Sequence, residues 1–155
     1  LVAIVRDGGG SSLFEAGVWF FTGLFAAPSV AYWMPVVRRI GLINVFALGC
    51  VVEASGVAAS VLVPLPFGPL IGGAFLGGTF VMVTAFGLQA GRELAQDSPR
   101  KALALMTAAF GVGQILGPVV AGYLADWTGS YTWASLAAAG GLLGAGVIVL
   151  AFRQR

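Results

Sequence analysis

Five long apolar runs, at about 13–37, 42–63, 67–90, 102–125 and 131–152, alternate with short polar or turn-rich separators. The separators are RDGGGSS (6–12), RRIG (38–41), PLP (64–66), GRELAQDSPRK (91–101) and DWTGS (126–130). A helix needs about 20 mostly apolar residues to cross the hydrocarbon of a bilayer. Each run is long enough, so the pattern predicts an all-α membrane protein with five transmembrane helices. PLP is so short that the second and third spans are expected to be antiparallel neighbours. Ser98 and Pro99 read as the cap and first turn of the fourth span. LVAIV (1–5) is too short to span anything and reads as the last turns of a helix whose beginning is missing. No signal peptide is visible, and the chain is expected to be a fragment, half of something larger.

Composition strengthens this picture. Of 155 residues, 59% are apolar and 9% charged, where a soluble domain carries about 25% charged residues. Charge then sets an orientation. Arg38, Arg39, Arg92, Arg100, Lys101, Arg153 and Arg155 fall on one side of the predicted layer and only Arg6 on the other. The bias of Lys and Arg toward the inner loops makes the first group cytoplasmic, with the C-terminus inside. Trp127, Tyr131 and Trp133 gather at the opposite face, as interfacial aromatics do. The formal charge of +2 is small and its basic residues are scattered in short clusters, which argues against a nucleic-acid partner. With no His and with Cys50 as the one cysteine, nothing supports a metal centre, a disulfide framework or a bound cofactor. An intramembrane enzyme would need clustered His, Asp, Glu or Cys, and none is expected.

Polar and small residues within the spans carry the rest. GVGQILGPVVAG (111–122) holds four glycines and a proline, each unfavourable in a soluble helix by about 1 kcal/mol for Gly and about 3 kcal/mol for Pro. In lipid, helices associate by close approach instead. Ala109, Gly113, Gly117, Ala121 and Ala125 recur every four residues and form a smooth stripe. Gly113 and Gly117 are therefore expected to serve helix packing, and Pro118 to bend the helix where neighbours tolerate it. Gln114 needs a partner in hydrocarbon. It either bonds to another helix or faces a water-filled cavity, on one face with Thr107 and Phe110.

Glu15, Trp19, Thr22, Ala26, Ser29 and Trp33 share one face of the first span, with Pro28 interrupting the ladder. Trp19, Thr22 and Ser29 form the polar and aromatic lining a solute pathway needs. The alternative is interfacial anchoring by the tryptophans, with hydroxyls bonded back to their own helix. The third span carries a small face (Gly73, Gly77, Thr84, Gly87) and a bulkier one (Phe75, Thr79, Met82, Phe86, Gln89) that reads as core or as cavity wall. Glu53 lies at the middle of the second span, beside Gly49, Gly56 and Ser60. A charge there costs about 2.5–3.5 kcal/mol on insertion scales, so the carboxyl is expected to be protonated or paired. It serves either as helix glue or in proton coupling.

APSVAYW (27–33), RRIGL (38–42), GGTFVMVTAFGLQAGR (77–92) and MTAAFGVGQILGPVVAGYLAD (106–126) extend over most of the chain. In these stretches the chain resembles the C-terminal half of a major facilitator superfamily transporter, in the YbfB/YjiJ-like branch. The resemblance implies twelve helices in two six-helix halves around a central cavity, working by alternating access. Residues 1–155 would be a partial C-terminal bundle, with LVAIVRD closing helix seven and the five spans forming helices eight to twelve. Helices seven, eight, ten and eleven face the cavity in that fold, which favours Trp19, Thr22, Thr79 and Gln114 as pathway residues. Glu53 would fall on peripheral helix nine, which weakens the proton-coupling reading. VVRRIG departs from the superfamily pattern, because Val36 and Val37 stand where an acidic residue precedes the arginines. An Asp–Arg latch at this loop is not expected. The implied function is proton-coupled secondary transport of a small organic solute, with the bilayer, that solute and the missing N-terminal half as partners. A non-transporting scaffold that binds partner helices through the small-residue stripes is the competing reading.

Overall fold

A computed structural model describes residues 1–152, and all regular structure among them is helical. The order is α1 (Val2–Asp7), α2 (Ser12–Ala26), α3 (Ser29–Ile40), α4 (Leu42–Leu62), α5 (Phe67–Leu94), α6 (Pro99–Thr128) and α7 (Thr132–Phe152). Four of these, α4 to α7, are long and apolar enough to cross a membrane, and α2 with α3 makes a fifth if the pair is one bent span. Arg153 and Arg155, expected at the cytoplasmic face, lie outside the described residues.

The run predicted as one helix at 13–37 is broken. α2 and α3 meet at an angle of 41° across Ala27 and Pro28. Pro28 has no N–H to give to the carbonyl four residues back, so the ladder cannot pass it. The Ser29 hydroxyl donates to the Ala26 carbonyl at 2.8 Å and closes the exposed end of α2. At the other end of α2, the Phe14 N–H donates to Ser11 Oγ at 3.2 Å, a side-chain N-cap. Gly41 separates α3 from α4 with φ +84° and ψ 160°, a conformation almost restricted to glycine. Pro99 opens α6 as expected, but the Ser98 side chain makes no capping bond. Gly129 ends that helix in the left-handed conformation, and its N–H donates to the Ala125 carbonyl at 2.8 Å.

Packing centres on α4 and α5. Their contacts run in opposite register: Gly49 lies against Met82, Gly56 against Phe75 and Gly72 against Ser60. The second and third spans are thus antiparallel neighbours, with glycines receiving bulky side chains from the facing helix. Val45, Met82 and Phe86 form the buried core, flanked by Val30, Trp33, Val36 and Val37 of α3. The bulky face of the third span is therefore core at Thr79, Met82 and Phe86, all buried. α2 lies parallel to α5, because Val18 approaches Gly73 and Phe25 approaches Gly77. Gly73 and Gly77 let the two backbones close on Thr22, a packing role their spacing predicts. Trp33 is pinned to α5 as well: its indole N–H donates to the Gly78 carbonyl at 2.8 Å. α7 lies along α4, with Gly146 facing Ala47 and Cys50. α6 packs against α5 and α7, and no residue in its most apolar stretch is buried.

Candidate functional site

Among the cavities between the described helices, two contain pathway or proton-coupling candidates singled out from the sequence. The first, of about 270 Å³, is walled by Trp19, Thr22, Gly23 and Ala26 of α2 and by Leu76, Gly77 and Phe80 of α5. Gly23 leaves open space there, with no other helix among the described residues within 4 Å of a Cβ placed on it, whereas Gly77 is closed against the Thr22 backbone and lets α2 approach α5. Trp19 is 56% exposed, so its ring faces open space rather than core. Thr22 is buried, and its hydroxyl donates to the Val18 carbonyl at 2.8 Å. That bond uses its single proton and leaves lone pairs available to a donor.

The second cavity, of about 510 Å³, opens among four helices. Phe46 and Glu53 come from α4, Phe80, Thr84 and Gly87 from α5, Thr107 and Phe110 from α6, and Leu142 from α7. Glu53 is 6% exposed, and its Oε2 has no hydrogen-bond partner among the described residues. The Thr79 hydroxyl, which donates to the Phe75 carbonyl at 2.6 Å, also interacts with this carboxyl across the α4–α5 contact. Phe80 and Phe110 stand with ring centroids 6.5 Å apart and join α5 to α6 at the cavity wall.

The expected pathway residues divide. Trp19 and Thr22 come together at the α2–α5 cavity. Ser29 is fully buried at the break and spends its hydroxyl on Ala26. Thr79 is buried against α4 and lines neither cavity. Thr107 and Phe110 reach the Glu53 cavity, while Gln114, further along the same face, is exposed and lines neither. Gly113, Gly117 and Pro118 are exposed on α6, and no other helix among the described residues comes within 4 Å of a Cβ placed on either glycine. Phe46, Phe80 and Thr84 were not singled out as cavity walls from the sequence. They belong to three-dimensional groupings whose members are tens of residues apart, and only the small-residue gap at Gly87, filled by Phe46, hinted at them.

The polar end near α1 is held electrostatically. Arg6 Nε donates to Glu15 Oε1 at 3.0 Å and Arg6 Nη2 to Glu15 Oε2 at 2.8 Å, a two-pronged ion pair. The hydrogen bonds, and then the carboxylate charge, hold the Arg6 guanidinium above its ordinary value. Glu15, which shares a face with Trp19 on the first span, thereby ties the start of α2 to the end of α1. No group of His, Cys, Asp or Glu able to hold a metal ion occurs among the described residues.

No curated protein and no solved structure matches this chain. The family described as "Uncharacterised MFS-type transporter YbfB" matches residues 1–150. Together with the apolar helices, that match makes the chain a multi-pass membrane protein, and it belongs to the YbfB family of major facilitator superfamily transporters.

Proposed function

We propose that residues 1–155 are the C-terminal bundle of a secondary transporter that moves a small organic solute by alternating access, coupled to protons. In this reading α1 is the end of helix seven, the α2–α3 pair is helix eight, and α4 to α7 are helices nine to twelve. The N-terminal half completes the cavity, the membrane is a bacterial inner membrane, and the C-terminus is cytoplasmic. The observation that carries the proposal is the α2–α5 cavity, where a half-exposed Trp19 stands beside Thr22. A stacking surface next to hydroxyl lone pairs suits a solute better than it suits helix packing.

The other candidates take supporting roles. Ser29 and Thr79 shape the pathway helices from behind, since their hydroxyls bond to backbone carbonyls. Gln114 and the Gly113–Gly117 stripe share an exposed stretch of α6, and the N-terminal half is the partner proposed to cover it. The same exposure favours the scaffold reading, in which another protein's helices occupy that stripe. Glu53 faces α5 from α4, which supports a helix-bonding carboxyl more than a proton carrier.

The test is transport by the full-length protein in proteoliposomes, with a panel of amines, amino acids, sugars and organic acids and a proton gradient. Trp19→Ala and Gln114→Leu should each change KM for the transported solute while the protein still inserts. Unchanged kinetics would remove that residue from the pathway. Absence of transport for the whole panel, with helix-specific capture of partners, would favour the scaffold.

A further inference from the structure

Glu53 is the one acidic side chain in the middle of a span, and the Lys and Arg side chains among the described residues are all elsewhere. Arg38, Arg39, Arg92, Arg100 and Lys101 are exposed at helix ends, Arg6 is paired with Glu15, and the sequence has no His. The Thr79 hydroxyl faces the carboxyl, the Cys50 thiol one turn away on α4 is close enough to interact with it, and the Thr84 and Thr107 hydroxyls line the same cavity. Thr79 gives its proton to the Phe75 carbonyl at 2.6 Å and Thr84 gives its own to the Phe80 carbonyl at 2.9 Å. Oε2 has no partner among the described residues, although the carboxyl is more than nine-tenths buried. Buried polar groups of this kind are rare and call for an explanation. The space beside the carboxyl measures about 510 Å³, within the range of about 300–1,000 Å³ typical of sites for drug-sized molecules.

We propose that the cavity walled by α4, α5, α6 and α7 binds an amphiphilic amine, a drug-sized apolar molecule with one basic nitrogen seated on Glu53. The chemistry selects the class. A protonated carboxyl meeting a neutral amine passes its proton from the carboxyl oxygen to nitrogen, and the product is a carboxylate–ammonium pair of zero net charge. No isolated charge enters the hydrocarbon at any stage, which a metal ion or a fixed anion would not allow. The rings of Phe46, Phe80 and Phe110 supply apolar surface for the body and π-electrons for the cation. A lipid acyl chain would fill the same walls but leave Oε2 without a partner. This site shares only Phe80 with the α2–α5 cavity and does not rest on the transport reading.

The experiment uses the full-length protein in phosphatidylcholine nanodiscs, with no gradient applied, so that loss of transport cannot affect the outcome. The probe is monodansylcadaverine, a primary alkylamine carrying a dansyl group, compared with its N-acetyl derivative, which keeps the apolar body and loses the basic nitrogen. Binding is read by dansyl anisotropy. The amine should bind saturably and at least about tenfold more tightly than the acetylated probe, and Glu53→Gln should abolish that preference. Equal affinity of the two probes for the wild type, the behaviour of an apolar lipid-filled groove, would overturn the proposal. So would a preference that survives Glu53→Gln. If that variant fails to fold, Phe110→Ala on the outer helix serves instead: it should weaken amine binding, and unchanged binding overturns the site.

Discussion

Gly77→Ala and Gly78→Ala add the same methyl group at adjacent positions of α5, and they should act in opposite directions. A Cβ at Gly77 runs into the backbone carbonyl oxygen of Thr22, with Phe25 Cβ at 3.0 Å and the Thr22 carbonyl carbon at 3.1 Å. These obstacles are main chain and a Cβ, which cannot rotate away, so α2 must lift from α5. A Cβ at Gly78 meets no other helix within 4 Å among the described residues. Overpacking of this kind costs about 1–3 kcal/mol, and the helix preference of Ala over Gly offsets up to about 1 kcal/mol. The net effect is a loss of about 1–2 kcal/mol at Gly77 and a neutral or slightly favourable change at Gly78. Cys50 provides the assay. It is the one cysteine of the chain and 1% exposed, so a fluorogenic maleimide reaches it only as the packing opens. On heating in detergent, the labelling midpoint of Gly77→Ala should fall at least about 2 °C below that of Gly78→Ala, taking about 2–4 °C per kcal/mol for chains of this size. Equal midpoints, or a higher one for Gly77→Ala, would refute the close approach of α2 and α5. Gly73→Ala should be milder, since its nearest obstacle is the Thr22 hydroxyl at 2.6 Å, a side-chain atom able to turn.

Gly41→Ala should lower stability by about 1–3 kcal/mol although its Cβ would sit in open space, because its backbone conformation is almost closed to other residues; an unchanged labelling midpoint would contradict this. Breaking the Arg6–Glu15 pair, exposed at its Arg6 end, with Arg6→Gln should lower stability slightly at low salt and by less at high salt. A loss undiminished in high salt would mean that the pair acts through packing. In a Cys50→Ala background, Gln96→Cys between α5 and α6 should label from the cytoplasm and Trp127→Cys at the far end of α6 from outside. Labelling of both from one side would overturn the orientation set by the basic residues.

The helices were legible because lipid imposes one demand, about 20 apolar residues per crossing, and the separators PLP and DWTGS interrupt it clearly. Gly73 and Gly77 were readable as packing positions for the same reason: their spacing repeats on one helix face. The break at Pro28 was visible as a proline, but the size of the bend depends on what holds each half. Trp33 is the example, since its indole bonds to Gly78, 45 residues away, and an isolated span cannot reveal that partner. Thr22, Ser29 and Thr79 looked alike as polar residues in apolar runs. Which of them faces space was decided by the helix opposite: only Thr22 borders a cavity among the three. The walls around Glu53 were hidden most fully, because Phe46, Phe80 and Phe110 meet only after four helices pack.

The length of α6 ties this bundle to the thickness of its bilayer. Its 30 residues extend about 45 Å at about 1.5 Å per residue, against about 30 Å of hydrocarbon. Arg100 and Trp127 stand about 40 Å apart along its axis, close to the distance of about 40–45 Å between the outer limits of the two headgroup layers. The helix is thus matched to the whole bilayer at its ends, while the described residues of this chain bury none of its most apolar stretch. Its depth is set by these two anchors, and its tilt by the anchors together with the helices it packs against. In a membrane of shorter acyl chains α6 must lean to keep both anchors at the surface. Thr107 and Phe110 lean with it, so acyl-chain length becomes a control on the width of the space beside Glu53.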